Sequence, residues 1–114
     1  MRDEQRQWLA GHGITLRGEA ARRFAAAWAD ISSRYSDERI REAAILAAAQ
    51  HLSNGSDLDA VGRALARARR HAETQLAVAR TVALLAIEDG KSEASTAREI
   101  GVDRMAVREW QGKR

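Results

Sequence analysis

The sequence predicts an all-α protein of five to six helices: an N-terminal helical bundle, a long central helix and two short C-terminal helices. Three observations carry that expectation. Proline is absent from all 114 residues, so no ring interrupts a helix interior. Alanine is heavily used, and Ala, Arg, Glu, Gln and Leu all lose little on becoming helical. No run of Val, Ile or Thr alternates with polar residues between turn signals, which is the pattern a half-buried strand requires. The length suits one domain with a modest core.

The elements can be taken in order. A first helix is expected from Arg2 to Ala10, stopped by Gly11-His12-Gly13. Leu16, Ala20, Phe24, Trp28, Ile31 and Tyr35 then recur three or four apart. That spacing places them on one face of a second helix ending near Arg34. Ser36 or Asp37 can cap a third helix by accepting from its free N–H groups. Ile40, Ala44, Ala47 or Ala48, and Leu52 are its expected inner stripe. Ser53 to Asp57 stops it, with Asn54-Gly55 able to supply a left-handed residue. Ser56 and Asp59 form a loose capping box for the next helix. Residues 1–56 are therefore read as an N-terminal helical region serving the core and dimerisation.

Between Asp57 and Asp89 the only breaker is Gly62. Leu58, Val61, Leu65, Ala68, Ala72, Ala79, Val82 and Ala86 alternate by three and four, with Leu76 one place off. This is a weak heptad pattern. It predicts one long helix over 57–89, with Leu58, Val61, Leu65, Ala68 and Ala72 as a dimerisation seam. The competing reading is two helices broken between His71 and Thr74. Arg63, Arg67 and Arg70 lie away from the seam and read as a solvated face.

The last segment, 90–114, has a different grammar. Gly90 ends the long helix. Ser92 caps a short helix from Glu93 to Ile100, and Glu93 sits in the first turn, where a negative charge is favourable. Gly101 breaks that helix. Asp103 can cap another from Arg104 to about Gln111. The outcome is a helix, a three-residue turn and a helix.

The stretch "EASTAREIGVDRMAVREWQG", residues 93–112, resembles the helix-turn-helix of DNA-binding proteins. Its flavour is similar to that of small bacterial, phage and transposase-type DNA binders, over roughly the last thirty-five residues. Ala97 stands where two helices cross and a small side chain is needed. Gly101 stands where the turn favours a left-handed backbone, cheap only for Gly. Val102 tucks under the turn, and Ile100, Val107 and Trp110 face the shared core. Val78, Val82 and Leu85 of the long helix are the expected inner face beneath them.

That resemblance implies double-stranded DNA as partner. The helix from Arg104 would enter the major groove with Arg104, Met105, Arg108 and Glu109 on its outer side, and Gly112 passing close. Arginine forks would meet guanine or flanking phosphates, Glu109 a cytosine amino group and Met105 a thymine methyl. Lys91, Ser92, Ser95, Arg98, Lys113 and Arg114 would hold phosphates and set the register. A homodimer is expected, because one small unit buries little surface on DNA. Transcriptional regulation, as a repressor or other regulator, is the leading role. Plasmid partition or replication control and phage packaging use the same architecture. From a different class comes a module that docks a protein partner through the same helix pair. The acids Glu93, Glu99, Asp103 and Glu109 keep that alternative in play.

Other classes find little support. No cysteine is present, which removes disulfides and Cys-based zinc sites. His12, His51 and His71 are scattered without ligand spacing, and no phosphate loop or nucleophile motif occurs. Neither enzyme activity nor a cofactor or metal is expected, and no polar cluster marks an effector site. The net charge of +3 is weak evidence for an anionic partner; Lys occurs only at 91 and 113, so Arg supplies nearly all the positive charge. The N-terminus is polar and mixed in charge, and apolar runs such as "TVALLAI" are far short of a membrane span. A cytoplasmic, nucleoid-associated protein is expected.

Overall fold

Caps and breakers set the boundaries of six helices in the computed structural model, which describes residues 1–113. They are α1 (Asp3–Gly11), α2 (Glu19–Arg34), α3 (Glu38–Asn54), α4 (Leu58–Glu88), α5 (Glu93–Ile100) and α6 (Arg104–Trp110). No strand occurs among the described residues. Contacts group the chain into two units, Met1–Leu58 and Asp59 onward.

In the first unit, α1 ends as its glycines require. Gly13 adopts φ 67°, and the N–H groups of Gly13 and Ile14 donate back to Ala10 and Leu9 carbonyls. His12 caps the helix and stacks on Trp8, with ring centroids 3.8 Å apart. Asp37 is the residue that caps α3, its carboxylate accepting from the Ile40 N–H at 2.9 Å. The Arg41 guanidinium donates to the Tyr35 and Ser36 carbonyls and so closes the α2–α3 turn.

The core of this unit is Leu9, Leu16, Phe24, Trp28, Ile31, Ile45 and Ala49. Trp8, Phe24 and Trp28 meet edge-on or tilted, 5.9–6.2 Å between centroids, a favoured arrangement for aromatic rings. Trp8 keeps its indole N–H satisfied by donating to Glu42. Three sequence expectations need correction. Leu16 is buried but precedes α2. Tyr35 lies beyond α2 with an extended backbone and is exposed. Ile40 is exposed because it lies five residues before Ile45, about 140° round the helix from it. The inner stripe of α3 is Ile45, Ala49 and Leu52, flanked by Ala44 and Ala48.

In the second unit, α4 is one uninterrupted helix of 31 residues, about 46 Å long. The expected long helix is present, with no break between His71 and Thr74. It ends where Gly90 takes φ 105°, with the Gly90 and Lys91 N–H groups donating to Ile87 and Ala86 carbonyls. Ser56, expected in a capping box, instead pairs its hydroxyl with the His51 ring. None of the described helices is long and apolar enough to cross a membrane.

Candidate functional site

A continuous series of caps and turn bonds holds α5, α6 and their connection. Ser92 caps α5, its hydroxyl accepting from the Ser95 N–H at 3.1 Å. Its carbonyl accepts from the buried Thr96 hydroxyl at 2.8 Å. Gly101 ends α5 in the left-handed region, φ 86° and ψ 33°. The N–H groups of Gly101 and Val102 both donate to the Ala97 carbonyl. Asp103 then caps α6, accepting from the Met105 N–H at 2.7 Å. Gly101, Val102 and Asp103 thus make the whole connection. Beyond α6, Gly112 adopts φ 78° and the Gly112 and Lys113 N–H groups donate to Glu109 and Arg108 carbonyls. Gly112 therefore terminates a helix by backbone conformation and does not lie on α6's outer face.

A small core holds the pair. Val107 and Ala83 are fully buried, and Thr96 and Ala97 nearly so. Ile100, Val102 and Trp110 are half-buried around them. The Arg80 guanidinium donates to the Trp110 carbonyl at 3.4 Å, tying the end of α6 to α4. The expected inner face of α4 needs correction. Val78, Val82 and Leu85 are 51%, 56% and 54% exposed. The face that α5 and α6 cover carries Ala83, with Ala79, Ala86 and Ile87 half-buried beside it. Small side chains at that face allow close helix approach. Size and apolarity point to the valines and leucine, but alanine occupies the contact.

Charge in this region is organised around Glu93. Its side chain is 15% exposed. It receives Lys113 at 2.7 Å, Arg108 at 3.2 Å and Arg104 at 3.6 Å. The Lys113 hydrogen bond holds the Glu93 carboxyl below the usual carboxylate range; partial burial opposes this, and the charges of Lys113 and Arg108 add to it. Sequence reasoning finds only a helix-end role for Glu93, because residues 15 and 20 positions away carry no periodic signal of meeting it.

The expected contact residues divide accordingly. Met105 and Glu109 are exposed on α6, as is Arg104 despite its longer link to Glu93. Arg108 is turned toward Glu93 and half-buried. Lys91 pairs with Glu99, Ser92 is engaged as a cap, Ser95 is half-buried and Arg98 is exposed. Lys113 is held by Glu93; Arg114 lies outside the described residues. Along α4, Leu58, Val61, Leu65, Ala68 and Ala72 are exposed, with Ala60 and Ala66 half-buried beside them.

Elsewhere the chemistry is sparse. A hollow of about 480 Å³ in the first unit places Glu4, Glu38 and Glu42 around Arg41, an acidic balance unsuited to a phosphate. No three potential metal ligands gather among the described residues. No protein family, characterised protein or solved structure matches the chain.

Proposed function

We propose that the chain binds double-stranded DNA through α5 and α6, as a dimeric, sequence-specific regulator. One observation carries the proposal: a three-residue turn, left-handed at Gly101, holds two short helices over Ala97 and Val107 while α6 keeps Arg104, Met105 and Glu109 exposed on its outer side. In this reading α6 lies in the major groove. Arg104 reads a guanine or its flanking phosphate, Met105 packs on a thymine methyl and Glu109 accepts from a cytosine amino group. Arg98 and the amino end of α5 contact the backbone and set the register.

The Glu93 cluster favours a division of labour. Arg108 and Lys113 are already engaged by a carboxylate, so a DNA phosphate must compete with Glu93 for them. Arg98 and Arg104 are both exposed. A second reading, protein docking by α6, is favoured by the exposed Met105 and by that internal neutralisation.

Anisotropy titration of a labelled duplex at several salt concentrations separates the two. For DNA binding, log affinity falls linearly with log salt, with a slope of about −0.9 for each neutralised phosphate. Arg98→Ala then reduces the slope by about one unit. Absence of binding at low salt refutes the DNA proposal. Salt-insensitive capture of a protein through Met105 would establish the other.

A further inference from the structure

Positive charge is not spread evenly along the chain. Residues 60–72, "AVGRALARARRHA", hold four of the 19 Lys and Arg and none of the 16 Asp and Glu, which leaves 15 against 16 elsewhere. The net charge of +3 thus comes from one stretch of α4. The sequence alone reads it as a solvated face. The structure adds that Arg63, Arg67, Arg69 and Arg70 are all exposed. Arg63 pairs with Asp59; Arg67, Arg69 and Arg70 have no ion-pair partner among the described residues. Arg63, Arg67 and Arg70 fall within about 60° of one another round the helix, and Thr74 continues the same side by one turn. We propose that this arginine face of α4 binds the phosphate backbone of double-stranded DNA, independently of sequence.

Three observations select that partner. First, a guanidinium fork meets phosphate oxygens bidentately. From Arg63 to Arg70 the helix axis rises about 10 Å, and over that length one strand of a duplex offers about three phosphates. Second, the α5–α6 pair has little charge of its own to offer. Residues 91–113 hold five Lys and Arg and four Asp and Glu, and Glu93 or Glu99 already engages four of the five cations. Attraction to phosphate supplies essentially all of non-specific DNA affinity, so a chain that binds DNA needs that attraction from another element. Third, the apolar residues of the same stretch argue against a lipid surface. Leu58, Val61 and Leu65 lie about 150–170° round the helix from the middle of the arginine face. A membrane that took them in would turn the arginines to water.

This contact deepens the DNA-binding proposal, on which it rests for the choice of DNA over other polyanions. Ala83, on which α5 and α6 seat, lies about 140–160° round α4 from the three arginines. One straight duplex against α6 therefore leaves the arginine face open, and that face takes a different stretch of backbone. Base reading and electrostatic attraction so reside on opposite sides of α4.

The test titrates a labelled duplex of random sequence with the full chain, by anisotropy at several salt concentrations. The variants are Arg67→Ala with Arg70→Ala, the same pair replaced by Lys, and Arg98→Ala with Arg104→Ala. Arg67 and Arg70 are exposed and Ala is the better helix former, so circular dichroism should show native helix content throughout. The expected result is that the first variant binds several-fold more weakly at low salt. Its slope of log affinity against log salt should shrink by about two units, one for each lost contact. The lysine variant should keep the slope, because the slope counts charges. An unchanged slope in the first variant, with affinity falling in Arg98→Ala/Arg104→Ala, would overturn the arginine face and leave the α6 reading standing. The reverse pattern refutes the α6 reading and supports the arginine face. Equal loss in the alanine and lysine variants would overturn a charge contact. Binding to phosphatidylserine vesicles and not to the duplex, lost in the first variant, would overturn DNA as the partner in favour of a membrane.

Discussion

Val107→Ala is the substitution that tests the packing beneath α6 most sharply. Val107 is fully buried and meets the small core formed with Ala83 and Ala97. Removing two methyl groups costs about 1.6 kcal/mol of transfer free energy, and incomplete collapse of the space brings the total to about 2 kcal/mol. A unit of roughly 55 residues has about 3–8 kcal/mol of stability in all, so the change removes a large share. Hydrogen exchange followed by mass spectrometry reads it locally. Amides of α5 and α6 that exchange only when the unit opens should do so about thirtyfold faster, since each 1.4 kcal/mol is a factor of ten. Peptides from α2 should be unaffected, because Phe24 and its neighbours belong to the other unit. Met105→Ala is the control on the same helix. Met105 is 56% exposed, and its loss should change exchange by less than about twofold. A change below about threefold for Val107→Ala, or an equal effect from Met105→Ala, would refute the assignment of α6's buried face.

Local geometry sets the further outcomes. Gly101→Ala should cost about 1–2 kcal/mol of unit stability from the left-handed backbone alone, since a Cβ there meets nothing within 4 Å; calorimetry reads it as a lowered transition with unchanged helix content. Asp37→Ala should cost about 1 kcal/mol through the lost α3 cap and leave exchange in α5 and α6 unchanged. Glu93 has a folded-state carboxyl held below its ordinary value, so its stabilising contribution is present above about pH 4.3 and is lost as pH falls through the depressed value. The transition that Val107→Ala lowers should therefore fall between about pH 5 and 3 more steeply in the native chain than in Glu93→Gln; equal slopes would remove the cluster from the acid response. The same Glu93→Gln change, by releasing Arg108 and Lys113, should raise duplex affinity several-fold at low salt and less at high salt.

The features legible in the sequence are those settled within a few residues. Asp37, Ser92 and Asp103 cap the helices that their positions predict, because a cap bond spans two or three positions. Gly90 and Gly101 end helices for the same local reason. The unbroken length of α4 is legible because only Gly62 in it disfavours a helix. Faces are harder. An alanine-rich helix offers its packing side without a size signal, so residue type points to Val82 and Leu85 for a contact that Ala83 makes. Residue type likewise puts Ile40 in a stripe whose phase Ile45 sets. The Glu93 cluster joins residues from different helices, and their meeting depends on tertiary geometry that no spacing encodes. The exposed outer side of α6 is legible except for Arg108, which the same cluster draws inward.

Selection from a pool of random duplexes, with sequencing of the retained fraction, tests the central claim most directly. The predicted result is enrichment of a two-fold symmetric site with half-sites about one helical turn apart, abolished when Arg98 and Arg104 are both replaced by Ala. Retention of no duplex above background at low salt would contradict it.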